Sequence, residues 1–317
     1  MTSSSGRTDL HTASRHRASS AGRSRVGMTT EMAERESVDT ILAVQIVTAP
    51  NWHQEHLRHI EEAFAAGSDS QIKASYAQLG DLLEQEFGDD VAAAPLLSLA
   101  ETVPVVARLL EGISGVLLDA GCGPNPAASM ALAAPGRRIV ALDIGAGTVR
   151  LARARAAANG VELLPVVADL ESLPFKAGAF SGGVCDDTIE HVPDDAAAIR
   201  ELARVLAVGG RMALATPNRR ALSVVVWRAR DLVLRRHLDP RAYYAAGSHL
   251  REYTWPEFER LVSPWLRVRD RAAAGWGGDW RRRLAASVTT HPPLRRLSRM
   301  IVLAVEPARP QPLDSAS

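Results

Sequence analysis

Cysteine is nearly absent from this 317-residue chain: Cys122 and Cys185 are the only two, and neither has the spacing of a zinc site or a C-x-x-C pair. That scarcity excludes a disulfide framework and points to a reducing, cytoplasmic setting. A surplus of one charge is also missing. With a formal net charge of +1, there is no global electrostatic case for nucleic acid or a membrane surface. No apolar run reaches the roughly 18 residues of a transmembrane helix, and the N-terminus lacks the apolar core of a secretory signal. One further absence is local. The G-x-G-x-x-G pattern of dinucleotide sites needs a third glycine at position 126, where this chain has Pro126.

What is present divides into four expected regions. Residues 1–35 are rich in Ser, Arg, Gly and Thr and too poor in apolar side chains to order themselves; this leader is expected to be disordered, with Met28 or Met32 as alternative starts. Residues 36–112 take up helical apolar spacing, as in "HLRHIEEAFAAG" and "YAQLGDLLEQEFG", which predicts a helical cap broken by Gly67, Gly80 and Gly88 into several helices. Over 113–307 the period alternates. Strands are expected at 115–120, 138–143, 162–170, 181–187 and 211–217, separated by helical stretches such as "AASMALAA", "GTVRLARARAAANG" and "DDAAAIRELARVLAVGG". This alternation predicts an α/β fold with a doubly wound parallel sheet covered on both faces. A lid-like insertion is expected at 218–253, followed by a helix capped by Thr254 and two closing strands in "WLRVRDRAAA" and "RMIVLAVEP". The Pro- and Ser-rich tail, 308–317, is expected to be disordered.

The chemistry concentrates in "VLLDAGCGPNPA", residues 116–127. In an open parallel sheet, ligands bind outside the carboxyl ends of the strands, and a glycine turn there lets backbone approach a ligand closely. Asp143 ends the second strand about twenty residues on, the spacing of a carboxylate that accepts from two ribose hydroxyls. These features fit NAD or another adenosine cofactor. Three others separate the two. Asp119 precedes the glycines, awkward beside a pyrophosphate but useful near a sulfonium or an α-amino group. The Gly-Pro-Asn-Pro continuation lacks the N–H donors that a pyrophosphate cradle requires. Asp169 and Leu170, after the third strand, can read an adenine edge: the carboxylate accepts from the exocyclic amine and the next N–H donates to a ring nitrogen.

The segments "LLDAGCGP", "VALDI" with "VRLAR", "VADLESLPFKAGAFSGGVC", "DDTIEHV" and "IRELARVLAVGGRMALATPN" together resemble the class I S-adenosylmethionine-dependent methyltransferases, in the ubiquinone-biosynthesis-like subgroup. The resemblance covers about a third of the chain. It implies a seven-stranded sheet with an antiparallel last strand, S-adenosylmethionine as cofactor and S-adenosylhomocysteine as product. Residue by residue, it implies that Asp119, Gly121, Cys122 and Gly123 line the methionine part. Asp143 would bind the ribose with Ile144 on the adenine, Asp169 and Leu170 would meet the adenine edge, and Asp186 or Asp187 would lie beside the methyl group. The chain departs from the family in "NPAASM", where a further Gly or a Thr/Ser is usual, and in "GAGTVR", where a Ser-Pro pair is usual.

For the acceptor, expected to be a small or medium-sized metabolite methylated at oxygen, His191 is the candidate base, with Asp187 beside it; packing or capping of the next helix is the alternative for His191. Asp187, Glu190 and His191 also resemble a metal-binding acid-x-x-Glu-His pattern, so a divalent ion is a second expectation. His249, Arg251 and Tyr253 in "SHLREYTWPEF" are candidates for the substrate side, with Arg251 alternatively pairing to the neighbouring helix. His53, His56 and His59 share a helical face, read as a solvated face before a metal face. "VVVWRARDLVLRRH" is an amphipathic basic helix that either packs its apolar face or touches a membrane peripherally. Carbon or nitrogen methylation of a lipid-linked or glycan substrate, an NAD-dependent oxidoreductase and a silent binding domain are the rival readings.

Overall fold

A computed structural model describes residues 58–59, 62–63, 67–87, 102–233, 249–275, 291 and 294–308. The expectations for 1–35, for His53 and His56, for residues 234–248 of the insertion, and for 309–317 lie outside these residues. The described elements run α1 (Asp69–Phe87), α2 (Val103–Leu109), β1 (Gly115–Ala120), α3 (Ala127–Leu132), β2 (Arg137–Asp143), α4 (Ala146–Ala158), β3 (Leu163–Val167), β4 (Phe180–Asp186), a 3-10 turn (Ile189–His191), α5 (Asp195–Val205), β5 (Leu206–Pro217), α6 (Leu222–Val233), α7 (Trp255–Val262), β6 (Leu266–Ala274), a second 3-10 turn (Leu294–Leu297) and β7 (Met300–Pro307).

The seven strands form one sheet in the order β3-β2-β1-β4-β5-β7-β6. β1 to β5 pair in parallel and β7 runs antiparallel to both β5 and β6. Strand side chains alternate between faces, and the core follows. Leu118 and Ala120 of β1 join Val140, Leu142, Ile199, Leu202 and Phe258 on one face. Leu117 joins Val106, Leu110, Ile139, Ala152 and Val184 on the other. α2 is thus one of the helices covering the sheet. The strand order reverses at β1, which has β2 on one side and β4 on the other; the crevice for a ligand opens there.

Three expected boundaries move. Gly80 does not break the cap, because α1 continues through it from Asp69 to Phe87. A Cβ on Gly80 would lie 1.9 Å from the Thr148 nitrogen, and one on Gly147 would lie 2.4 Å from the Gly80 carbonyl carbon. The two glycines let α1 and α4 touch backbone to backbone, and this occupies the segment where the family's Ser-Pro pair is missing. Leu83 and Leu151 pack beside the contact, and Arg150 of α4 bonds Glu84 at 2.6 Å. The second boundary is that of α5, which ends at Val205 rather than at the glycine pair. Leu206 already pairs with Phe180, and Gly209 takes φ +78 in the irregular start of β5. At β3 the strand is shorter than expected, five residues from Leu163, and Pro165 is tolerated on this edge strand.

Caps form where the sequence signals them. The Asp194 carboxylate accepts from the Ala197 N–H at 2.8 Å, and Thr254 and Glu257 form a capping box on α7. α6 buries Val224 but exposes Val225, Val226, Leu232 and Val233. Among the described residues, no helix is long and apolar enough to cross a membrane.

Candidate active site

A cavity of about 380 Å³ opens over the carboxyl ends of β1, β2, β3 and β4. All nine residues expected to hold the donor line it: Asp119, Gly121, Cys122, Gly123, Asp143, Ile144, Asp169, Leu170 and Asp186. Asp187, His191 and His249 line it as well.

The glycine turn is fixed by backbone bonds. The Gly121 and Cys122 N–H groups both donate to the Leu142 carbonyl, at 2.8 and 2.9 Å, folding the turn toward β2. Gly121 has φ +78, and a Cβ there would come within 2.3 Å of the Thr188 side chain, so no other residue fits without displacing Thr188. Gly123 has φ +59 with open space around it. Its N–H donates to Asp143 Oδ2 at 3.1 Å, while Asp143 Oδ1 accepts from the Gly145 N–H at 3.0 Å. Asp143 therefore ties the first turn to the second, and its oxygens keep unused lone pairs. Burial pushes its carboxyl up, against the N–H bonds that pull it down. Asp119 is buried and accepts from the Ser129 hydroxyl at 2.6 Å and the Ser129 N–H at 3.1 Å. Ser129 supplies the hydroxyl of the divergent "NPAASM" segment. Burial still raises Asp119 to about 6. Cys122 and Cys185 are buried with thiols held well above their usual range by burial, which makes them inert packing groups.

Past the turn the cavity becomes acidic. Asp186 accepts from the Thr102 hydroxyl and is raised to about 7, chiefly by burial and then by Asp187 and Asp119 despite the Thr102 bond. Asp187 sits at φ +54, the only described non-glycine residue with positive φ, a strain of the kind stored at functional sites. Glu190 is fully buried beneath this floor and accepts from the Thr216 hydroxyl at 2.9 Å. Burial and the Asp187 carboxylate push Glu190 well up toward its neutral form. One oxygen each of Asp186, Asp187 and Glu190 is buried without a hydrogen-bond partner.

His191 is held from two directions. Its Nδ1 lies 3.0 Å from the Tyr76 hydroxyl of α1, and its ring meets His249 edge-on with centroids 4.7 Å apart. Burial and Glu190 keep Tyr76 a neutral phenol by raising its pKa. His249 in turn bonds Glu252 at 3.1 Å. The expected metal trio is not the one brought together. Among the described residues, Glu190, His191 and His249 each place one ligand-type atom within 4.8 Å of the others, and Asp187 is not in that group.

Of the three substrate-side candidates, only His249 reaches the cavity. Arg251 is a brace: it donates to the Val192 and Pro193 carbonyls at 2.7 and 2.8 Å and pairs with Asp195 at 3.1 Å, the helix ion pair that was the alternative. Tyr253 donates to Asp195 at 2.7 Å and bridges to Asn218. His59 accompanies Arg58 at 2.9 Å. Lys73, Tyr76 and Thr102 complete the site without any sequence motif, although Lys73 and Tyr76 stand three apart on one helical face, and Thr188 joins them from within "DDTIEHV".

Residues 118–214 match the family model of a methyltransferase domain. A ubiquinone biosynthesis O-methyltransferase from Xanthomonas axonopodis pv. citri (strain 306) is 36% identical over 115 residues, 36% of this chain and 48% of that protein. One from Cronobacter sakazakii (strain ATCC BAA-894) is 35% identical over 120 residues, 37% and 49% of the two chains. The chain thus spans about half the length of these relatives. Among solved structures, magnesium protoporphyrin IX methyltransferase (ChlM) from Synechocystis PCC 6803 with bound SAH aligns at TM-score 0.51 and 16% identity, over 75% of this chain and all of that one. The [4+2]-cyclase SpnF aligns at TM-score 0.52 and 16% identity, over 74% and 96%; at that identity both likenesses concern the fold. Residues 118–214 thus match a methyltransferase domain, set in a seven-stranded sheet of order β3-β2-β1-β4-β5-β7-β6.

Proposed function

We propose that the protein transfers a methyl group from S-adenosylmethionine to an oxygen of a small or medium-sized metabolite. One observation supports this reading above the others: a single cavity gathers Asp119, the Gly121–Gly123 turn, Asp143, Asp169 and Asp186. The cradle suits the donor, since the space at Gly123 is open and no row of N–H groups is offered to a pyrophosphate. S-adenosylmethionine, when bound, supplies an activated methyl on a sulfonium. The chain's residues then have three tasks. Asp143 accepts from the ribose hydroxyls, Asp169 and Leu170 read the adenine edge, and the acidic floor of Asp119 and Asp186 favours a cation over a neutral ligand. The cavity brings donor and acceptor together, and proximity supplies much of the acceleration.

The oxygen assignment follows the O-methyltransferase activity of the relatives and the placement of His191. Held by Tyr76, its imidazole can take the proton of an acceptor hydroxyl. Calorimetric titration with S-adenosylhomocysteine and NAD tests the donor. Binding of the first alone is expected, and binding of NAD alone would overturn the reading. Transfer of labelled methyl groups to a metabolite library identifies the acceptor, with His191→Ala expected to slow that transfer about 100-fold.

A further inference from the structure

Lys73 is one of only two lysines among the 37 lysine and arginine residues of the chain. From α1 its ammonium reaches Asp169 Oδ2 at 2.7 Å and Glu171 Oε2 at 2.5 Å, and both Lys73 and Asp169 line the cavity. The two carboxylates are otherwise set by backbone: Asp169 Oδ1 accepts from the Glu171 N–H at 2.9 Å, and Glu171 Oε1 accepts from the Asp194 N–H at 3.0 Å. Two like charges two residues apart repel. Without a shared cation Asp169, whose side chain is 35% exposed, would turn toward water. A compact ammonium with three N–H groups can serve both carboxylates at once, whereas a guanidinium fork favours one carboxylate at a time. The Asp169 carboxylate offers about four acceptor sites, and the Lys73 and Glu171 bonds leave some of them open.

We propose that Lys73 is a positioning residue of the donor site, contributed from outside the matched domain, which holds Asp169 in the orientation that accepts the exocyclic amine of adenine. Resting on the donor reading above, the inference makes selectivity for a 6-amino over a 6-oxo purine a property of α1. The probes are S-adenosylhomocysteine and its 6-oxo counterpart S-inosylhomocysteine, titrated calorimetrically into the full chain. The unaltered protein binds the amino compound more tightly. Lys73→Met lowers that affinity roughly tenfold, the scale of a charge-assisted hydrogen bond, leaves the 6-oxo compound unchanged, and so collapses the preference. Lys73→Arg restores part of it, and Lys73→Gln gives the same outcome as Met should the latter fold poorly. Equal or tighter binding of S-adenosylhomocysteine by Lys73→Met would overturn the inference, since Lys73 would then compete with the base. An equal loss for both ligands would overturn it too, by reducing Lys73 to a fastener of α1. If the unaltered protein binds neither compound, the donor reading fails and takes the inference with it.

Discussion

At one end of the cavity Asp119 and Asp143 are held by partners 10 and 20 residues away, mostly backbone N–H groups. At the other end Asp186 is held by Thr102 across 84 residues and His191 by Tyr76 across 115. The first arrangement is a local fold of the chain around two strand ends, and it lies wholly within the matched residues 118–214. The second draws side chains from α1, from the approach to α2 and from the segment after α6, all beyond that match. On the proposed reading, and apart from Lys73 on Asp169, a site divided this way can keep its donor while its acceptor changes, because most of the holding contacts at the two ends come from different stretches of sequence. The fold alone does not decide the outcome, as the likeness to both a methyltransferase and a [4+2]-cyclase illustrates.

The sharpest way to break the comparison is at the turn. Gly121→Val should abolish S-adenosylhomocysteine binding and destabilise the fold by about 3 kcal/mol or more, because positive φ and the Thr188 clash act together; calorimetry and urea unfolding read both. Gly123→Ala, with positive φ but open space, should cost the fold only about 1 kcal/mol. Next, Asp143→Ala should weaken S-adenosylhomocysteine by about 1–3 kcal/mol, and an unchanged affinity would remove Asp143 from the ribose. Third comes the acidic floor. Burial lifts Asp186 to about 7 and Asp119 to about 6, so folding favours their protonated forms. That stabilising contribution is complete below about pH 4, the ordinary carboxylate range, and is lost as pH rises through the folded values near 6 and 7. Asp186→Asn should therefore stabilise the free protein at pH 8 by about 1–2 kcal/mol and have less effect at pH 5, measured by urea midpoints. Smallest at the site is Arg251→Met. It should lower stability by about 1 kcal/mol and leave donor affinity untouched, which thermal unfolding and calorimetry distinguish.

The same division governs how much could be read from sequence. β1 was legible to the residue, and so was the gathering of the nine candidate residues around one cavity, because a strand that ends in Asp119-Ala120-Gly121 fixes its own turn and its distance to Asp143. Gly80 misled, since a glycine inside a helical pattern resembles a stop until the partner glycine on α4 is known. Gly209 and Gly210 misled likewise by imitating a helix exit where a strand begins. Arg251 and Tyr253 suggested substrate contact, but their polar atoms are spent on Asp195 and two carbonyls. Lys73 and Tyr76 gave no signal because their partners lie 96 and 115 residues downstream; only the tertiary fold brings an ordinary helix face to the cavity.

The contact between Gly80 and Gly147 has a consequence for how this molecule opens. Where Gly80 and Gly147 meet, main chain lies against main chain with no room for a Cβ, and Leu83, Leu151 and the Arg150–Glu84 pair flank that point, so α1 is keyed to one register on α4. It is either seated or away. In hydrogen exchange the amides of α1 around Gly80 should therefore lose protection as one cooperative block, and a single methyl group at either glycine should shift that whole block toward the open state.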